Sequence, residues 1–129
     1  MATRATYKFH NTQLITNATV YIHWDGYPKG AAQYIADAIG YQGGSYSETA
    51  TLTIERFIRA NEGANVTEGH SAHGDTDYRY DFRSKEQMTV SRRTIEKVGD
   101  DYEERWNQIF SGSIEEFLND NYTTEEHKQ

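Results

Sequence analysis

The chain has no cysteine and a single proline, and nowhere does it approach the roughly 18 consecutive apolar residues of a membrane-spanning helix. Without cysteine there is no disulfide framework, no thiolate nucleophile and no thiolate ligand for zinc. Bases are scarce in the final quarter, where residues 98–129 carry nine acids against Arg105 and Lys128. Residues 1–97 balance at eleven acids and eleven bases, so the net charge of −7 resides in that last segment. Such a field repels phosphates, which argues against direct DNA or RNA binding, and it attracts cationic protein surfaces. Apolar residues reach only 36%, but ten Tyr, five Phe and two Trp bury large areas while keeping a polar tip satisfied, so a folded chain is expected. The length fits one domain over 1–129, with a polar, frayed tail at about 123–129. The opening residues 1–6 lack the apolar stretch of a signal peptide, and a cytoplasmic setting is expected.

Two periodicities are present. Tyr7 and Phe9 alternate with Lys8 and His10, predicting a half-buried first strand. A second, about 18–24, sets Val20, Ile22 and Trp24 on the core face and Tyr21, His23 and Asp25 opposite. Asp25-Gly26 ends it, and Pro28 suits the first turn of a helix. Ala32, Ile35, Ala36 and Ile39 then lie at helical spacing, which predicts a helix over 28–39 stopped by Gly40. Ser45 and Glu48 have capping-box spacing for a second helix over roughly 46–60, burying Ala50, Ile54, Phe57 and Ile58. Residues 61–76 show neither period and read as a long loop.

Tyr78, Tyr80 and Phe82 alternate with Arg79, Asp81 and Arg83, and a return strand opens with Met88 and Val90 after a four-residue connection. The pattern changes at Arg92-Arg93, predicting a bulge or bend there. Residues 102–110 fit either period. Strand is favoured because Ser113 and Glu116 form a capping box that starts a new short helix. The result is an α+β domain, a mostly antiparallel sheet of about five strands with three helices packed on one face. The opposite face, carrying Tyr21, His23, Arg79, Asp81 and Arg83, is left to solvent or to a partner.

Three constellations could carry chemistry. His23 and Asp25 suit a base with its orienting carboxylate, although an Asp-Gly before a helix is ordinary turn chemistry. His70, His73 and Asp75 have ligand types, and with His23 and Asp25 they define the metal-dependent or ligand-binding enzyme that is the alternative reading. Glycine-flanked histidines equally suit a solvated loop. The third is a surface of acids and tyrosines: Asp100, Asp101, Glu103, Glu104, Glu115, Glu116 and Asp120, with Tyr41, Tyr46 and Tyr122 in exposed contexts. Tyrosine buries area in interfaces at low entropic cost, so a protein-binding face is the favoured explanation. No cofactor is called for.

The run Tyr21-Ile22-His23-Trp24-Asp25-Gly26-Tyr27-Pro28, with Asp77-Tyr78-Arg79-Tyr80 later, resembles small uncharacterised proteins of phages and bacterial mobile elements. The likeness spans about residues 5–82 and implies a setting more than a reaction, since small phage accessory proteins often bind a host protein. The expectation is therefore an acidic binding protein rather than an enzyme. It would inhibit or modulate a host protein with a basic surface, such as a nucleic-acid-binding defence complex of the CRISPR-Cas kind. A homodimer through the open sheet face is a third reading.

Overall fold

The computed structural model describes residues 3–10, 18–40, 52–72, 74–84 and 86–122. Its elements are strands β1 (Ala5–Phe9) and β2 (Thr19–Ile22), helices α1 (Pro28–Ile39) and α2 (Ile54–Ala60), and strand β3 (Asn65–Thr67). A single 3-10 turn (His70–Ala72) follows, then β4 (Tyr78–Ser84), β5 (Gln87–Val98), β6 (Asp101–Gly112) and α3 (Ile114–Asn121). The strands form one mixed sheet in the order β3-β2-β1-β4-β5-β6. All neighbours are antiparallel except β1 and β4, which run parallel. This is the expected α+β architecture with three helices, enlarged by one strand.

The parallel pairing explains the aromatic composition. It sets Tyr7 opposite Tyr80 and Phe9 opposite Phe82, and the rings stack at centroid distances of 4.8 and 5.0 Å. Phe57 of α2 lies across both β1 rings, and Phe117 of α3 meets Tyr80 edge-on. With Ile35, Ile22, Met88, Val90 and Leu118 these rings are almost wholly buried. Side chains of this size each stabilise the fold by about 1.5–3 kcal/mol on burial. The even-numbered positions Met88 and Val90 and the odd-numbered Tyr7 and Phe9 all point to the helices, as a period of two requires.

Helix α1 runs over the predicted residues and ends on Gly40 at φ 73°. The α3 capping box is formed: Ser113 Oγ accepts from the Glu116 amide, and Glu116 Oε1 accepts from the Ser113 amide, each at 3.0 Å. Residues 102–110 are strand, within β6.

Four expectations need correction. Trp24 is 57% exposed, because β2 stops at Ile22 and the chain turns out of the sheet before the alternation brings Trp24 inward. Helix α2 begins at Ile54, with extended Thr53 as its cap, accepting from the Arg56 amide; the Ser45/Glu48 box lies outside the described residues. The 61–76 stretch holds β3 and the 3-10 turn rather than loop alone. Instead of a break at Arg92-Arg93, β5 is continuous, and the β5–β6 register shifts between Val90 and Ser91. There Val90 faces Phe110 and Ser91 faces Gln108, so Ile109 is the extra residue of a bulge. The body of the sheet thus ends near Arg92, the last β5 residue paired with β4, while 94–98 and 101–105 continue as a two-stranded arm.

Candidate functional site

The octapeptide turn is tightly built. Asp25 adopts φ 55°, a conformation rare for a residue with a Cβ. A Cβ at Gly30 would lie 2.2 Å from the Asp25 carbonyl oxygen, and one at Gly26 would lie 2.9 Å from that of Thr3. Tyr80 donates to the Gly26 carbonyl at 2.6 Å, Tyr34 to that of Trp24 at 2.9 Å, and Tyr27 to the Asp25 carboxylate at 3.2 Å. Burial, with the Asp25 charge nearby, pushes the Tyr34 phenol up to about 12. His23, which was paired with Asp25 on spacing, looks elsewhere: its Nδ1 accepts from Arg4 Nε at 3.2 Å and lies 3.1 Å from the Tyr21 hydroxyl. Arg4 also pairs with Asp75 at 3.2 Å. The motif therefore reads as a strand-to-helix corner that displays Trp24.

His70 joins neither His23 nor Asp75. Its Nδ1 is 2.6 Å from Thr6 Oγ1, and its Nε2 is 3.1 Å from Asp81 Oδ1, the same oxygen that His10 Nε2 reaches at 2.8 Å. Desolvation pushes the Asp81 carboxyl up, but the hydrogen bonds and charges of His70 and His10 outweigh it and hold it down at about 2. This cluster fastens the 3-10 turn over β1 on the open face, where Thr6 is fully buried. Thr6, His70 and Asp81 have the types of a nucleophile, base and orienting acid, but a buried hydroxyl offers no substrate access. Sequence reasoning missed the cluster because His10 and Asp81 lie 71 residues apart and meet only through the parallel β1–β4 pairing. Among the described residues no three His, Asp or Glu side chains gather in a way that could hold a metal ion. His73, Tyr41 and Tyr46 lie outside the described residues.

The acids divide into two groups. Glu103 pairs with Arg105 at 3.5 Å, and Arg105 also holds Glu96 at 2.9 Å. Glu104 accepts from the Trp106 indole at 2.8 Å and meets Arg93 at 3.5 Å, which keeps its carboxyl below the usual range. Glu116 is bound into the α3 cap. Asp100 and Asp101 at the arm's tip, and Glu115 and Asp120 on α3, are exposed. Tyr122, expected in an exposed context, is half-buried and packs against the core.

The arm is the most exposed part of the described chain. Tyr102 is 71% and Ile95 57% exposed, and Val98 is exposed as well. At the arm's root Arg79 stacks 3.9 Å above the Trp106 ring, and that ring is held from the side by Glu104. No helix among the described residues is long and apolar enough to cross a membrane. Comparison with protein-family models, with curated proteins and with solved structures finds no match.

Proposed function

We propose that this protein acts by binding another protein with a basic surface through the β5–β6 arm, and that in doing so it inhibits or modulates that partner. The observation that supports this reading is the arm itself: a regular hairpin running past its own sheet, with Asp100 and Asp101 at the tip and with Ile95 and Tyr102 exposed as diagonal neighbours on one face. Large apolar side chains clustered in the open mark interaction sites. Carboxylates around them speed and orient the encounter with a cationic surface more than they add affinity. Since Glu103 and Glu104 already have arginine partners, the attraction is assigned to the tip rather than to the whole acidic quarter.

In the phage or mobile-element setting that the octapeptide suggests, the partner is a host protein, and a defence complex whose basic groove normally holds nucleic acid would suit the tip. The test is capture from host lysate by the protein and by an Asp100→Lys/Asp101→Lys variant, with association rates measured across salt. A partner lost by the variant, and bound more slowly as salt rises above about 0.1 M, where exposed fields are screened within about 10 Å, supports the reading. A partner held equally by both, with a rate indifferent to salt, overturns it.

A further inference from the structure

Among the described residues no strand pairs with the outer edge of β6, and that edge has the geometry of a self-pairing strand. In the sheet, β6 is the outermost strand on its side. The Arg93 amide donates to the Asp77 carbonyl at 2.9 Å, so odd-numbered β5 residues face β4 and even-numbered ones face β6. Arg92, Thr94, Glu96 and Val98 are opposite Asn107, Arg105, Glu103 and Asp101, whose backbone groups are thereby used. The amides and carbonyls of Tyr102, Glu104, Trp106 and Gln108 therefore point outward along the edge. A two-stranded ribbon is marginal alone, and a third strand turns it into a stable sheet.

We infer that the third strand is β6 of a second copy, paired antiparallel about a twofold axis at Trp106. Charge along the strand favours this occupant. The acids Asp101, Glu103 and Glu104 fill one half, whereas 107–113 carry no charge at all. Antiparallel pairing lays the acidic half of each copy against the neutral half of the other, and parallel pairing would set acid on acid. With the axis at Trp106, Glu104 faces Gln108, Arg105 faces Asn107, and the two indoles share the open face. An axis at Arg105 would set guanidinium against guanidinium. Side chains on one face of a paired sheet must have matching parity, and this register satisfies that. Both tips remain at the outer ends of the joint, so the pairing does not depend on the partner-binding reading.

Two variants test it. Proline at an outward-facing edge position leaves the β5 ladder intact, and Gln108→Pro removes two inter-copy hydrogen bonds, one in each direction. The wild-type protein is expected to sediment at twice the chain mass, more so as salt screens the net charge. Gln108→Pro should raise the dimer dissociation constant about tenfold with an unchanged circular dichroism spectrum. In a chain without cysteine, Trp106→Cys reports only on contact between copies. Paired Cα atoms about 5.5 Å apart lie within disulfide range, so rapid oxidation to a covalent dimer is expected, with Asp120→Cys staying monomeric. A wild-type monomer up to roughly 100 µM at high salt, where mass action favours association, or equal cross-linking at both positions, overturns the proposal. Dimerisation is favoured by salt and partner capture is weakened by it, so failure of one is distinguishable from failure of the other.

Discussion

Replacing Asp81 by Asn should cost stability at neutral pH and cost almost nothing in strong acid. Asp81 Oδ1 receives His10 at 2.8 Å and His70 at 3.1 Å, and its side chain is only one-fifth exposed. Its carboxyl lies at about 2 in the fold against an ordinary 3.8. A depressed folded value means that the stabilisation is complete above pH 4 and fades as pH falls towards 2. A gap of nearly two units converts to roughly 2 kcal/mol, which partial exposure reduces to about 1–2 kcal/mol. Asn keeps an acceptor for one imidazole but loses the charge. Urea denaturation followed by circular dichroism, on wild type and Asp81→Asn side by side at pH 7, 5, 3 and 2, reads the difference directly, because the other carboxylates titrate alike in both. The expected gap is about 1–2 kcal/mol at pH 7 and 5, shrinking towards zero at pH 2. A gap constant down to pH 2, or below about 0.5 kcal/mol at pH 7, would show that the two histidines do not recognise the charged carboxylate.

Other substitutions separate the contributions of single atoms. Tyr80→Phe removes the buried hydrogen bond to Gly26 and should lose about 1–3 kcal/mol, whereas Tyr7→Phe, which deletes a buried hydroxyl without a hydrogen-bond partner among the described residues, should be neutral or stabilising in the same urea titration. Gly30→Ala drives a Cβ into the Asp25 carbonyl and should unfold or severely destabilise the chain, seen as lost thermal cooperativity; normal melting would contradict the close packing of the corner. Ser113→Ala removes the α3 cap and should cost about 1 kcal/mol, with the lost helicity visible by far-ultraviolet circular dichroism.

What the sequence disclosed was local. Helix α1 was legible because Pro28, the Ala/Ile spacing and Gly40 all speak within twelve residues. Strand β6 was legible only indirectly, since Ser113 and Glu116 required a fresh helix after it. Trp24 was misread because alternation continues in the sequence after the backbone has left the sheet, and no periodicity records where a strand stops pairing. The parallel β1–β4 contact could not be read at all, as nothing in 5–9 and 78–82 specifies direction. The histidine cluster was invisible for the same reason. Neither was the arm apparent: its strands alternate no differently from those inside the sheet, and only the length of β4 decides where support ends.

The protein therefore separates stability from display within one sheet. Around β1 and β4, stacked rings are sealed by three helices, and a carboxylate with two imidazoles closes the other face, so substitutions there act on folding. Among the described residues no helix or third strand lies beside the hairpin beyond Arg92, and its ladder is held by pairs such as Asn107 to Thr94 and Arg105 to Glu96. Exposed pairs of this kind contribute little, typically up to about 1 kcal/mol each. It follows that charge reversal at Asp100 and Asp101 should leave the denaturation midpoint unchanged while altering association. Loss of Asp81 should do the reverse, moving the midpoint while an arm-directed interaction persists at temperatures where the fold survives.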